Sequence, residues 1–179
     1  ALNGVGTTGG ASTVYSASFA GHGSVSFAFT GILTQPCTTG GSTSFSFNVR
    51  ATIANDCVIN AGNLDFGTNS VLNGAARATS ALSVQCTANN PYQIAFNGGQ
   101  NGTVAARRMK NPATGETVSY SLSSALDGPA WGDGALGSSV YGGVGSGGVQ
   151  SVPVYGSVPA QRTPSPGSYR DTVTATIYF

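Results

Sequence analysis

Two segments of the chain alternate strictly between apolar and polar residues, which is the pattern of a half-buried β-strand. From position 44 to 53, apolar residues occupy every odd position and polar residues every even one. The apolar set is Phe45, Phe47, Val49, Ala51 and Ile53. The last residues repeat the pattern, with Val173, Ala175, Ile177 and Phe179 sharing one face. Because an isolated strand is unstable in water, each segment must complete a sheet, in this molecule or in a neighbouring one.

Shorter alternating runs, separated by turn residues, fill much of the remaining chain. They lie near positions 79–87, 92–96, 116–122 and 149–158. Apolar residues do not recur at helical spacing over three turns anywhere in the sequence. Short strands spaced about ten residues apart are typical of an antiparallel β-sandwich, which is the fold we expect. The run at 149–158 contains Pro153 and Gly156, so we expect a bulge or an edge position there.

The N-terminal part contains two further alternating runs, at positions 15–19 and 25–29. Between them lies Ala20-Gly-His-Gly23, a sequence typical of a tight turn, so we expect a β-hairpin formed by these two runs. Residues 36–42 resemble a loop or linker. Three roles stay open for this extension: a packing appendage, a piece of a preceding domain, or a strand that inserts into its own chain.

The composition argues against several classes of protein. Only 7% of the residues are charged, against about 25% in ordinary soluble domains, while 40% are hydrophobic. A chain with so little charge and so many hydrophobic residues is not typical of intrinsic disorder. The formal net charge is +1 without a stripe of Lys and Arg, so we do not expect nucleic acid as a partner. Gly, Ser and Thr interrupt the uncharged N-terminal stretch throughout, so we do not expect a membrane span either.

The three cysteines are Cys37, Cys57 and Cys86. None forms a Cys-x-x-Cys motif or lies near a histidine, so we do not expect a metal site. An oxidising, secreted compartment fits this usage better. Three cysteines can form one disulfide bond within the chain, with one cysteine outside it. We favour the pair Cys57–Cys86 because each of these residues lies beside a strand-like run. Cys37 is then either free or bonded to a partner outside the chain.

An enzymatic function finds no support in the sequence, and we expect neither catalytic residues nor a cofactor. The one histidine, His22, lies in a glycine turn far from any charged residue, and the six carboxylates are scattered. Trp131 is expected to be a core or loop-anchoring aromatic rather than a platform for a ligand. The Arg107-Arg108-Met109 run is expected to be either a contact between subunits or a solvated strand edge.

A series of short motifs resembles the spore coat protein U domain family, which includes the subunits of archaic chaperone–usher pili. In order along the chain the motifs are Asp56-Cys57-Val58-Ile59, Leu64-Asp-Phe66-Gly67, Leu82-Ser-Val84-Gln-Cys86, Ala106-Arg-Arg-Met109, Tyr120-Ser-Leu122, Trp131-Gly-Asp-Gly134, Val154 to Ala160 and Pro166 to Thr174. The resemblance covers about residues 43–179 and is specific because so many motifs occur in the same order.

The resemblance implies an all-β fold: an incomplete, immunoglobulin-like antiparallel β-sandwich that lacks its last strand. A neighbouring subunit would complete it by donating an N-terminal strand. In this chain the implied donor residues are Phe45, Phe47, Val49, Ala51 and Ile53. The implied edge of the groove, which would also contact the chaperone, is the last strand with Val173, Ala175, Ile177 and Phe179.

The resemblance also implies partners and a location. The partners would be identical or homologous pilus subunits, a periplasmic chaperone and an outer-membrane usher, and the product would be a secreted pilus on the cell surface that supports adhesion and biofilm formation. We expect an N-terminal extension at 1–41, a donor segment at 42–55 and the β-sandwich domain at 56–179. The alternative is a spore- or cell-surface coat module, or a carbohydrate-binding module, that does not polymerise.

Overall fold

The computed structural model describes the backbone of residues 13–18, 23–28, 40–135 and 138–179, and the side chains from residue 44 onwards within those ranges. The chain divides into two compact units, Ala1–Ala54 and Asn55–Phe179. His22, Cys37 and most of the turn expected at 20–23 lie outside the described residues. In the described part of the chain, no helix is long and apolar enough to cross a lipid bilayer.

The first unit contains four strands, which we call the arm. They are β1 (Thr13–Ser18), β2 (Gly23–Ala28), β3 (Gly40–Phe45) and β4 (Asn48–Ile53). Strand β1 pairs antiparallel with β4, from Thr13 opposite Ile53 to Ser18 opposite Asn48. Strand β2 pairs antiparallel with β3. The two pairs are nested in sequence, with β2–β3 enclosed by β1–β4.

The prediction that the runs at 15–19 and 25–29 pair with each other as a hairpin is wrong. Both runs contain strands, but β1 and β2 pair with β4 and β3 instead of with each other. The physical reason is that alternation fixes which residues share a face, whereas it does not choose the partner strand. The alternating segment at 44–53, expected as a half-buried strand, is interrupted at Ser46 and Phe47, where the partner changes from β2 to β1.

The second unit contains eight strands in two antiparallel sheets. They are β5 (Cys57–Ala61), β6 (Ala76–Cys86), β7 (Pro91–Phe96), β8 (Arg107–Lys110), β9 (Thr117–Ser123), β10 (Tyr141–Val144), β11 (Val149–Val158) and β12 (Ala175–Tyr178). One sheet has the order β5-β6-β11-β9-β8 and the other the order β10-β7-β12. The expected all-β antiparallel sandwich is therefore confirmed.

The core lies between these two sheets. It is built from alternating residues of the long strands, such as Leu82, Val84 and Cys86 of β6, which are almost completely buried. Trp131 is 0% exposed, donates from its indole N–H to the carbonyl of Ile94 at 2.8 Å and packs 4.5 Å from the ring of Phe96. Its expected role as a core aromatic is confirmed, and its burial leaves no ring face for a ligand to stack on.

Strand β11 lies in the middle of its sheet, between β6 and β9, so the expectation of an edge position is wrong. Every residue of β11 has a partner in β6, including Pro153, which lies opposite Ala81. Its ladder with β9, however, spans Tyr155 to Ser157. A proline cannot donate a ladder hydrogen bond, and the short β9 ladder begins beyond Pro153, so a central strand can accommodate it.

The expected disulfide bond is confirmed. Cys57 and Cys86 lie directly opposite each other in the β5–β6 pair, and their sulfur atoms are bonded. Thr87 continues this junction: its hydroxyl accepts from the N–H of Asp56 at 3.1 Å, and its N–H donates to the Asp56 carbonyl at 3.0 Å. The start of β5 is therefore fixed covalently and by hydrogen bonds to the end of β6.

Candidate functional site

The last strand, β12, lies at the edge of the three-stranded sheet. It pairs with β7, with Ala175 opposite Phe96 and Ile177 opposite Ile94. Among the strands that the structure describes, β7 is its one sheet partner. No other described strand pairs with the second backbone edge of β12, and an unpaired strand edge is a place where a further strand can add.

The side chains of β12 alternate as the sequence predicts, but their burial is incomplete. Ala175 and Ile177, with Val173 just before the strand, pack against the core and are only half-buried, whereas Ile94 and Phe96 on β7 are buried. Phe179, the fourth residue predicted on this face, is 54% exposed. The interior of the sandwich is thus incompletely covered along its last strand.

The facing sheet has the same feature. Cys57 and Ile59 of β5, and Leu64 and Phe66 just after it, also pack against the core while staying half-buried. Strands β5 and β12 contact each other. We call this region the open seam, and it consists of Cys57, Ile59, Leu64, Phe66, Val173, Ala175 and Ile177. The seam joins apolar side chains of the edge strands β5 and β12 to Leu64 and Phe66, which lie over Gly156 of β11 and, for Phe66, beside Tyr120 of β9.

Polar contacts fix the start of β12. The hydroxyl of Tyr120 donates to one carboxylate oxygen of Asp171 at 2.7 Å. The other oxygen accepts from the backbone N–H of Gln100 at 2.9 Å and from the side chain of Asn101 at 3.0 Å. Burial and the adjacent Asp171 carboxylate raise the pKa of Tyr120, so the phenol stays protonated as the donor. The seam therefore has one rigid end.

Arg107 supports the same region from inside, which corrects the expectation that it lies at the surface. Its guanidinium is buried and donates to the carbonyls of Asn97 at 2.7 Å and Trp131 at 2.8 Å. Burial lowers the pKa of Arg107, but an arginine stays cationic at neutral pH. Arg108 is exposed and Met109 is half-buried against the core. Arg107 begins β8, and its buried charge binds the carbonyl of Asn97, just after β7, and the carbonyl of Trp131, so its role is structural.

The structure places the five predicted donor residues in the arm. Phe45 ends β3, Phe47 lies between β3 and β4, and Val49, Ala51 and Ile53 belong to β4. Their large side chains are about half exposed, from 46% for Ile53 to 51% for Phe45. The rings of Phe45 and Phe47 lie 6.4 Å apart. The arm therefore presents a row of apolar side chains.

The sequence pattern missed some of the seam and its supports. Leu64 and Phe66 lie outside any strand, so alternation could not place them in the seam, although their short apolar-polar-apolar spacing was visible. Tyr120 and Asp171 lie in two of the quoted motifs, but they are 51 residues apart and the sequence gave no signal of their contact. Within the described residues, His, Cys, Asp and Glu side chains do not gather in groups of three that could hold a metal ion.

Comparison with known proteins gives three findings. The family model described as the Spore Coat Protein U domain matches residues 43–176. Protein U of Myxococcus xanthus is 33% identical over 151 residues, which cover 75% of this chain and 83% of that protein. A chain of the CsuC-CsuE chaperone-tip adhesion subunit pre-assembly complex, from archaic chaperone-usher Csu pili of Acinetobacter baumannii, matches in fold with a TM-score of 0.57 and 21% identity. That match covers 94% of this chain but only 60% of the Csu complex chain.

Proposed function

The chain belongs to the spore coat protein U domain family, and from this premise we propose that it is a structural subunit of an extracellular chaperone–usher pilus. Subunits would join when the arm of one copy adds a strand beside β12 of the next. The open seam is the observation that supports this role best. It combines a free backbone edge with half-buried apolar residues, and both would be satisfied by one inserted strand.

The arm has the residues that such an insertion needs. Its apolar positions alternate, as the inward positions of β12 do, so each inserted side chain would enter the seam while the next would face solvent. The two Phe, one Val and one Ile are already about half buried in the arm, so their full burial adds about 3–6 kcal/mol before the cost of ordering is subtracted. Ladder hydrogen bonds to β12 add to this.

Such a contact uses two different surfaces, the arm and the seam, so it does not close on itself. A head-to-tail contact of this kind generates a filament. Before assembly, a periplasmic chaperone would cover the seam of each subunit, and an outer-membrane usher would pass subunits outwards. The disulfide bond suits this oxidising route. The assembled pilus would support adhesion and biofilm formation, and the role of the subunit would be structural rather than enzymatic.

The proposal is tested by replacing Phe47 with Asp. An unpaired charge in an apolar seam is costly, so we expect at least a tenfold loss of filament mass in sedimentation and few threads by electron microscopy. The matched control is Thr52→Asp, which adds the same charge at a polar position of the arm and should polymerise normally. Deletion of residues 43–53 should leave a folded, chaperone-binding domain that does not polymerise.

Normal filaments from Phe47→Asp or from the deletion would contradict the donor role. So would a wild-type chain that stays monomeric when concentrated and is already complete in dilute solution, with its arm in its own seam. That result would favour a non-polymerising coat module, the alternative that the family description as a spore coat domain supports.

A further inference from the structure

We propose that the arm enters the neighbouring subunit as a two-stranded ribbon, in which β4 lines the edge of β12 and β1 remains paired to β4. This inference rests on the proposed function and specifies its donor. The occupant of the seam is then a second copy of this chain, which contributes residues 13–18 together with the donor row from Phe45 to Ile53, of which β4 is the part paired to β1.

The first observation is the pairing of β4. All six of its residues have a partner in β1, so one backbone edge of β4 is already used. A strand has two edges, and the second edge of β4 suffices for a ladder with β12. Release of β1 before insertion would expose its backbone N–H and C=O groups, which would then need new partners. Insertion of the intact ribbon avoids that loss.

The second observation is the register. It sets Tyr15 opposite Ala51 and Ala17 opposite Val49. Residues directly opposite each other in an antiparallel pair share a face. The row of apolar positions in β4 is therefore widened by apolar positions of β1. The intervening pairs, Ser16 with Arg50 and Val14 with Thr52, belong to the other face, which is polar at every one of these positions except Val14.

The third observation is the seam itself. Its half-buried apolar residues come from β12 and the preceding Val173 on one side, and from β5 with the following Leu64 and Phe66 on the other. A ribbon with apolar positions on both strands matches a seam with two apolar sides better than a single strand does. The one formal charge between residues 13 and 53 is Arg50, which lies at a position of the polar face.

A locked ribbon tests the inference in the full-length chain. Ser16→Cys with Arg50→Cys places two cysteines directly opposite each other on the polar face, in a Cys37→Ser background that removes the remaining thiol. The oxidised double variant should form filaments at the rate and yield of the two single-cysteine variants. If the locked chain fails to polymerise while both single variants succeed, β1 must leave β4 and the inference is wrong.

Hydrogen exchange on wild-type filaments gives a second readout that needs no substitution. Assembly should slow amide exchange in residues 13–18 along with residues 48–53, by at least tenfold relative to the unassembled subunit. Protection of 48–53 with unchanged exchange at 13–18 would overturn the ribbon while leaving the donor role intact. Failure of the donor role itself is recognised separately, because Phe47→Asp would then polymerise normally.

Discussion

Two isoleucines directly opposite each other show how the two halves of the sandwich differ. Ile94 of β7 and Ile177 of β12 are register partners, and both belong to alternating apolar rows. Ile94 is 0% exposed, whereas Ile177 is only half-buried. The side chains are chemically identical, so the difference comes from what covers them. Strand β7 has a strand on each side, whereas β12 has β7 alone among the described strands.

The core of this unit is therefore covered at β6, β7 and β11 and incompletely covered at β5 and β12. The closed half has what a folded domain needs, including Trp131 between the sheets. The open half has the same sequence pattern without a complete cover. We infer that the first half determines whether the subunit folds and the second determines whether it assembles.

The largest expected effect comes from truncating each isoleucine in turn. In the unassembled subunit, Ile94→Ala should lower the free energy of unfolding by about 2–5 kcal/mol, because it leaves a cavity in a closed core. Ile177→Ala should cost about 1 kcal/mol there, since half of the side chain is already in water. Urea unfolding of the monomer measures both.

Assembly should reduce the difference between the stability losses caused by Ile94→Ala and Ile177→Ala. Once a donor strand covers the seam, Ile177 becomes a core residue, so Ile177→Ala filaments should dissociate in less denaturant than wild-type filaments. Equal costs for the two substitutions in the monomer would show that the seam is closed without a partner, and the contrast between the halves would fail.

The next effect concerns the bond that joins the two halves. Replacing Cys57 and Cys86 by Ser removes a cross-link between β5 at the seam and β6 in the closed core. The loss should be about 3–4 kcal/mol of unfolding free energy in the chain-entropy model. Urea unfolding measures this loss, and hydrogen exchange should show that β5 frays before β6. Uniform loss of protection in both strands would mean that the bond stabilises the whole domain and has no special role at the seam.

The sequence predicted the strands better than their partners. Alternation identified the rows at 45–53 and 173–179, because a period of two is a local property that survives in the folded chain. It could not show that β1 pairs with β4, since pairing depends on the rest of the chain. Alternation could not show the half-burial of Ile177 either, because its neighbours in sequence look like those of a closed strand. The family resemblance implied an open edge there, and the order of the described strands places β12 at a sheet edge.

The seam also has a fixed end, and that end should make stability sensitive to alkaline pH. The pKa of Tyr120 is raised, mainly by burial and also by its hydrogen bond to Asp171. The folded state therefore keeps the phenolic proton at a pH where the unfolded state has lost it. The stabilisation is complete below the unfolded pKa of about 10 and declines as the pH rises above it.

Tyr120→Phe should remove most of that decline and lower stability at neutral pH by about 1.5–3 kcal/mol, the usual range for a hydrogen bond to a charged group. Some alkaline sensitivity should remain, because burial also raises the pKa of Tyr92. Urea unfolding of both proteins between pH 7 and roughly pH 11 measures the difference. A variant with the same alkaline slope as the wild type would show that Tyr120 does not hold its proton more tightly in the folded state, and the contact with Asp171 would then not anchor the start of β12.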